Sequence, residues 1–377
     1  MTGQNMKRLG DYIRPVDVRN RDLKVTRLMG INIEKRFMPS VANVVGTDLS
    51  NYKVVSKGQF ACNLMHVGRD EKIPVALQKD DEPIIVSPAY VVFEVVDTNV
   101  LLTEYLMMWF SRSEFDRNAW FYTDGDVRGG MDREALFDMQ IPVPTIEKQR
   151  EIVAEYNTLA TRIETNKKLI ATLEQTAQTL YRHTFVDNID PNNLLQGWEY
   201  KSVFDIAEVR YGFPFNSELF CSDSSLNPIV RIRDILEEST DTYSSETADE
   251  KYLIQKNDIL IGMDGIFHMT IWSNASMWQN QRIVRVRCLN KSLMSAYQIM
   301  FSIYAPIKSL ESSIEGTTVA HLSDKDMKKL KILVAPEIVQ NDITQKLNSI
   351  LEVVENKKSE TRMLAQMQTL FLSKMGA

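Results

Sequence analysis

The segment TDGDVRGGMD, residues 123–132, brings three acidic side chains and one arginine together around glycines. Carboxylates at this density can bind a divalent cation, but a glycine-rich cluster of this kind is more often a flexible turn, and we interpret it as one. The cysteines Cys62, Cys221 and Cys288 are scattered, as are the four histidines. Because neither set has the spacing of zinc ligands, we predict no metal site.

The chain also lacks the motifs of the common catalytic sites. It has no GxxxxGK[ST] or GxG loop for phosphate, and no HExxH, CxxC or GxSxG. It contains no Pro-Pro pair, and therefore no Asx-Pro-Pro-aromatic loop of the type with which amino-methyltransferases hold a target base. We predict no catalytic residue and no cofactor bound by this chain, which makes a single-chain nuclease or methyltransferase remote.

The sequence contains an internal duplication, which indicates how its structural elements are arranged. IPVPTIEKQREIV at 141–153 and ILVAPEIVQNDIT at 332–344 each join a proline-punctuated apolar run to a glutamine and a helical pattern. A shift of 191 residues aligns Gln149 with Gln340, whereas upstream VVSKGQFACNLM resembles LIQKNDILIGMD at a shift of 199. Self-similarity at so long a period indicates duplicated domains.

We call these two repeated segments hinges, and each leads into a long predicted helix. Residues 145–184 and 337–375 contain no glycine or proline. Seam positions recur at steps of four and three residues, the pattern of a coiled coil. Antiparallel pairing of the two helices is the simplest arrangement; packing of each helix on its own domain is the alternative. Polar residues at the equivalent seam positions Asn166 and Lys357 would select register. The predicted seam comprises Ile152, Leu159, Ile163, Asn166, Ile170, Leu173, Leu180, Ile343, Leu347, Ile350, Val354, Lys357, Leu364 and Phe371.

The regions between the helices contain β-branched and aromatic runs bounded by turn residues, followed by short helices. We therefore predict an α+β fold with an internal pseudo-two-fold repeat, in which two α+β domains are separated by two long helices forming an antiparallel coiled coil. The predicted boundaries are 1–145 for the first domain, 146–185 for the first helix, 186–336 for the second domain and 337–377 for the second helix.

Net charge of −6 argues against a uniformly basic surface, but the sign changes locally. Residues 7–36 contain nine Lys/Arg against four Asp/Glu, and RIVRVRCLNK at 282–291 contains four basic residues and no acid. We expect a cytoplasmic protein, because no secretory signal or membrane-length apolar run is present and three unpaired cysteines suit a reducing compartment.

The chain resembles the specificity subunits of Type I restriction–modification systems over nearly its whole length. The residues that carry the resemblance are the duplicated hinge and helix, GWEYKSVFDIAEV at 197–209, FACNLMHVGRDEKIPVAL and YGFPFNSELF. The second hinge departs from the first, with Ala335–Pro336 where the first has Pro144–Thr145.

The resemblance implies two target-recognition domains, each reading one half of a bipartite target in double-stranded DNA. The paired helices would set the spacing and dock two modification (methyltransferase) subunits. These would bring S-adenosylmethionine and methylate adenine, while separate restriction/translocase subunits would use ATP and Mg. No membrane partner is implied.

Base chemistry then selects candidate contacts, since Arg pairs with guanine, Asn and Gln with adenine, and Lys often with phosphate. The candidate DNA-binding residues are His66, Arg69, Lys72, Arg128, Arg210, Tyr211, Asn216, Ser217, Arg231, Arg233, Asp264, His268, Gln279, Gln281, Arg282, Thr317 and Thr318. A coiled-coil adaptor with two protein-binding α+β domains is the alternative. Charge and periodicity do not separate the two; a neighbouring reading frame with the methyltransferase loop would.

Overall fold

The computed structural model describes residues 6–40, 46–65, 67–123, 129–187, 189–312 and 321–375. The chain forms two units. Unit 1 comprises Met1–Ile163 and Leu364–Ala377, and unit 2 comprises Glu164–Met363. Because each long helix contributes to both units, this division differs from the four predicted segments, which stay a prediction.

Within its described residues, unit 1 contains ten short strands and four short helices, and the first long helix begins in it. The strands are β1 Met6–Arg8, β2 Ile13–Pro15, β3 Met29–Ile31, β4 Phe37–Pro39, β5 Lys53–Val55, β6 Gln59–Cys62, β7 Val75–Leu77, β8 Ile84–Val86, β9 Val91–Val95 and β10 Gln140–Pro142. The helices are α1 Val67–Asp70, α2 Thr103–Phe110, α3 Ser113–Phe121, α4 Arg133–Asp138 and the long α5 Ile146–Phe185.

Unit 2 repeats the plan with more strands. They are β11 Glu199–Ser202, β12 Ala207–Tyr211, β13 Phe220–Cys221, β14 Asn227–Val230, β15 Tyr243–Ser244, β16 Leu253–Ile254, β17 Ile259–Gly262, β18 Met269–Ile271, β19 Met277–Gln279, β20 Ile283–Cys288 and β21 Lys331–Val334. The helices are α6 Val203–Ile206, α7 Ala296–Ser312, α8 Asp324–Lys329 and the long α9 Glu337–Lys374. Turns of 3₁₀ helix lie at Leu9–Asp11, Leu49–Asn51, Ser217–Leu219, Ile232–Asp234 and Glu250–Tyr252.

The same antiparallel sheet recurs in both units. Its strand order is β2-β9-β6-β7 in unit 1 and β12-β20-β17-β18 in unit 2. A strand pair then leads into each long helix, β1 with β10 and β11 with β21. The units differ beyond this frame: unit 2 adds the five-stranded sheet β13-β15-β14-β19-β16, where unit 1 has the pairs β3-β4 and β5-β8. The duplicated α+β architecture predicted from the sequence is therefore confirmed.

Each sheet buries one apolar face beneath a helix. In unit 1, Phe60 stacks on Phe93 with ring centroids 5.1 Å apart, and Phe110 of α2 meets Phe60 edge-on at 5.7 Å. In unit 2, Ile259 and Val286 share a core with residues of α7. Complete burial of one large apolar side chain contributes about 1.5–3 kcal/mol relative to exposure, so these strands are held by packing more than by their short ladders.

The long helices pair within each unit. In unit 1, the rings of Tyr156 and Phe371 lie 6.3 Å apart. In unit 2, Glu174 Oε1 lies 3.8 Å from Lys358 Nζ, and Leu180 packs in the same core as Ile350. Since residue numbers fall along α9 as they rise along α5, this stretch is antiparallel. Every predicted seam position is buried or half-buried.

Candidate nucleic-acid interface

Both units contain the same backbone junction where the third strand of the sheet in order, β6 or β17, ends. In unit 1 the Met131 amide donates to the Leu64 carbonyl at 2.9 Å, and in unit 2 the Leu322 amide donates to the Met263 carbonyl at 2.8 Å. Leu64 and Met263 differ by 199 residues, and Met131 and Leu322 by 191. The two shifts seen in the sequence therefore meet at this junction, which is where many of the candidate DNA-binding residues lie.

In unit 2 the junction holds an acidic residue between two basic side chains, which we name the Asp264 cluster: Asp264, Arg282 and His321. Arg282 Nη1 donates to Asp264 Oδ2 at 2.6 Å, and His321 Nδ1 lies 2.8 Å from Asp264 Oδ1. Partial burial acts to raise the pKa of Asp264, but the hydrogen bonds from His321 and Arg282 outweigh it and hold the pKa below its usual value. Asp264 and Arg282 were candidates; His321 was not, because its distance in sequence concealed it.

In unit 1 the junction is built from two glycines. The Gly68 amide donates to the Gly129 carbonyl at 2.6 Å, and Gly129 has a positive φ of 57°. A Cβ on Gly68 would lie 2.7 Å from the Gly129 Cα, so no side chain fits there. This close approach places the short helix α1 at the surface, where Arg69 is exposed and paired with Asp70, and Lys72 is exposed.

Four candidates lie outside the described residues: His66, Arg128, Thr317 and Thr318. They are adjacent in sequence to the two junctions, and their assignment stays a prediction.

Three consecutive aromatic residues near the unit 1 junction were missed by sequence reasoning. Trp120, Phe121 and Tyr122 end α3 and are all exposed, Phe121 by 82%. α3 packs beside α1, and Thr123, which follows these rings in the chain, forms a β-bridge with Met131 of the junction. The run AWFYTD directly before the glycine segment was the available signal, because exposed aromatic clusters are typical of binding surfaces.

Other unit 2 candidates make local contacts. Arg210 pairs with Glu208, and the Tyr211 hydroxyl donates to Asp324 at 3.2 Å. Burial raises the pKa of Tyr211, as does Asp324. His268 is half-buried, and Gln281 is exposed beside Arg282.

Four further candidates, Asn216, Ser217, Arg231 and Arg233, lie around the five-stranded sheet. The Asn216 side chain caps the 3₁₀ turn that begins at Ser217. Arg231 lies over the ring of Phe220 at 5.8 Å, and Arg233 pairs with Asp241 at 2.7 Å.

Gln279 was predicted to bind DNA, which requires an exposed side chain, but it is fully buried. Its side-chain amide donates to the carbonyls of Arg210 and Ile283. This side chain fastens β12 to β20 and cannot reach a base without breaking the sheet.

The basic run 282–291 is also less basic at the surface than its composition indicates. Arg285 is completely buried and bonds to Glu208 at 3.0 Å, and Arg287 pairs with the buried Asp258 at 2.7 Å. Lys35, in the other basic segment, is buried against Asp116 at 2.7 Å. The composition suggested that these charges could bind DNA, but in the folded protein they pair with acidic side chains.

The repeated glutamines serve as anchors for the long helices. Gln149 is fully buried; it accepts from the Leu102 amide at 2.8 Å and donates to the carbonyls of Val100 and Pro144. Gln340 likewise donates to the Leu293 carbonyl at 3.1 Å and accepts from the Ala335 amide. Gln149 thus fixes α5 to the loop before α2, and Gln340 fixes α9 to the loop before α7. The sequence showed that they repeat, but not what they contact.

No group of three or more His, Cys, Asp or Glu among the described residues could hold a metal ion. Nor is any helix of the described ranges long and apolar enough to cross a membrane.

Known specificity subunits are similar to parts of this chain. Residues 196–363 match the family model described as Type I restriction modification DNA specificity domain. The EcoBI specificity subunit of Escherichia coli is 27% identical over 46% of this chain and 36% of its own length. The MjaIX specificity subunit of Methanocaldococcus jannaschii is 20% identical over 74% of this chain and 70% of its own length. The EcoBI match therefore spans little more than a third of that relative.

A solved structure supports the fold independently of close sequence similarity. The crystal structure of a Type-I restriction-modification system S subunit from M. genitalium superposes with a TM-score of 0.54 at 13% identity, covering 99% of this chain and 97% of that one. The chain is thus similar to specificity subunits of Type I restriction–modification systems, and its residues 196–363 match a Type I restriction modification DNA specificity domain.

Proposed function

We propose that this chain is the DNA sequence-specificity subunit of a Type I restriction–modification complex. Each unit would read one half of a bipartite target, and the paired helices would set the spacing between halves. The observation that carries the proposal is the duplicated junction: the same backbone contact, Leu64 to Met131 and Met263 to Leu322, occurs in both units, and residues 196–363 match a DNA specificity domain.

Repetition of the same unit suits a split target. One recognition helix or loop reads only a few base pairs in a groove, so two equivalent readers are needed for a longer site. Half-site centres about 34–36 Å apart, one helical turn, would place both readers on one face of the duplex.

The catalytic steps would belong to partners. We propose that two modification subunits dock on this chain and bring S-adenosylmethionine for adenine-N6 methylation, and that restriction/translocase subunits use ATP and Mg. The chain itself would contribute no catalytic group.

The experiment is base-resolved detection of methylated adenine in a methylation-free bacterial host that co-expresses this chain with the modification subunit encoded beside it. The expected result is methylation at one split motif, two short defined blocks around a fixed gap. A continuous or half-length motif would mean that one unit alone reads sequence. A soluble complex without methylation would favour the protein-binding adaptor instead.

A further inference from the structure

We infer that Arg282 determines one base of the half-site read by unit 2, and that Asp264 is the residue that positions it; the inference rests on the proposed function. The ligand would be the major-groove edge of a guanine. His321 completes the arrangement by engaging the second oxygen of Asp264.

The geometry leaves most of the guanidinium available. A guanidinium has five N–H groups in a planar fork, and within the described ranges only Nη1 of Arg282 has a hydrogen-bond partner, Asp264 Oδ2 at 2.6 Å. The side chain of Arg282 is 64% exposed whereas that of Asp264 is 22% exposed. The acid therefore lies beneath the arginine and fixes one nitrogen, while the other edge of the fork faces outward.

The backbone that carries Asp264 is fixed by contacts with two other segments, at Arg282 and at His321–Leu322. Asp264 forms an isolated antiparallel bridge with His321, and its neighbour Met263 donates to the Arg282 carbonyl at 3.1 Å and accepts from Leu322 at 2.8 Å. A rigidly supported side chain can discriminate between bases, because the orientation of its donors is set before binding.

Charge favours a base edge over a phosphate as the target. A phosphate approaching Arg282 would also approach the ionised Asp264 that lies against it, and like charges repel. A guanine presents the neutral acceptors O6 and N7, which suit an arginine whose net charge is partly compensated.

The test uses the same methylation assay, with the full chain and its modification partner, and compares the wild type with Arg282→Ala, Arg282→Lys and Asp264→Asn. The control is Lys201→Ala, which removes another exposed cation of unit 2 that is paired with Glu199. The readout is the base frequency at every position of the methylated motif.

We expect Arg282→Ala to make one G·C position of a single half-site degenerate, with discrimination there falling from about 5- to 150-fold to near unity. Arg282→Lys should retain part of it, since lysine keeps the charge but loses the fork. Asp264→Asn should weaken the same position, and Lys201→Ala should change none.

Equal loss of methylation at all sequences in Arg282→Ala would mean a phosphate contact and would overturn the inference. An unchanged motif in Arg282→Ala would overturn it as well. If Arg282→Ala gives no soluble complex, degeneracy in Arg282→Lys at that position supports the inference and an unaltered motif rejects it. A soluble wild-type complex without any methylation would instead refute the proposed function, and this is seen before any variant is made.

Discussion

A buried glutamine joins each long helix to its domain. Its contribution to the free energy of unfolding can be measured at Gln149. The fully buried Gln149 forms hydrogen bonds to three backbone groups, which belong to Leu102, Val100 and Pro144. A buried polar group that loses its partner costs about 1–3 kcal/mol.

We expect Gln149→Leu to lower the free energy of unfolding by about 3 kcal/mol, because leucine fills the space but leaves the backbone groups unpaired. The measurement is urea denaturation followed by circular dichroism. The matched control is Gln178→Leu, on the exposed face of the same helix. Equal stability of the two variants would contradict the anchoring role.

A second residue-scale contact ties α9 to a strained loop of unit 2. Lys358 Nζ lies 2.6 Å from Glu238 Oε1, and Glu238 is 6% exposed with a positive φ of 49°. The Ser273 amide donates to Glu238 at 2.7 Å, and Arg362 in turn donates to Ser273.

Lys358→Met should cost about 3–5 kcal/mol, since it leaves the carboxylate of Glu238 buried without its cation. Lys346→Met, which removes an exposed pair with Asp342 on the same helix, should cost less than about 1 kcal/mol. Chemical denaturation compares the two. If adding Glu238→Gln to Lys358→Met restores no stability, the unpaired charge is not the cause.

At the scale of elements, the long helices were predictable and the sheets were not. The predicted seam has seven positions in each copy, and that periodicity indicates a helix whatever surrounds it. The order β2-β9-β6-β7 depends instead on contacts between distant segments. The Asp264 cluster shows the same limit, because a histidine 57 residues away completes it.

Which arginines are buried could not be predicted from the sequence either. Arg282 and Arg285 lie three positions apart, yet the first is exposed and the second is completely buried. Alternation along β20 puts successive residues on opposite faces, but only the tertiary fold decides which face meets acids such as Glu208.

The polar residue Asn166 lies in the otherwise largely apolar seam, and its effect on the stability of the helix pair can be measured. Asn166 is 1% exposed, and its side-chain nitrogen has no hydrogen-bond partner in the described part of the chain. A buried unpaired amide destabilises, whereas leucine of similar volume would pack in the seam.

Asn166→Leu should therefore raise the free energy of unfolding by about 1 kcal/mol, measured by thermal and urea denaturation. Asn157→Leu, an exposed position on the same helix, is the control and should have little effect. Destabilisation by Asn166→Leu would show that the asparagine is satisfied in a way the seam requires.

At the scale of the whole molecule, the net charge and the ion pairs of the described residues limit a general attraction to DNA. The net charge is −6, and many basic side chains are paired with acids, as Arg14 is with Glu94 and Arg19 with Asp17. Affinity for a duplex would thus depend on local surfaces and on partner subunits, which leaves to this chain the task of selecting sequence and spacing.

Spacing gives the last prediction. If the paired helices set the gap in the target, adding one heptad to each should widen it. We would duplicate residues 164–170 after Ile170 and residues 358–364 after Leu364, which preserves the seam register and keeps Arg362 on Ser273. Seven residues add about 10 Å of helix, or about three base pairs.

The methylated motif should then keep both half-sites and gain about three unspecified base pairs between them. The control is a seven-residue Gly-Ser insertion after Asn193, an exposed position in the linker beyond α5; it lengthens the chain equally but no helix, and should leave the gap unchanged. An unchanged gap in the heptad variant would mean that something other than these helices, such as the docked modification subunits, fixes the distance between half-sites. Loss of one half-site with the other retained would instead show that the longer pair can no longer place both units on the same duplex.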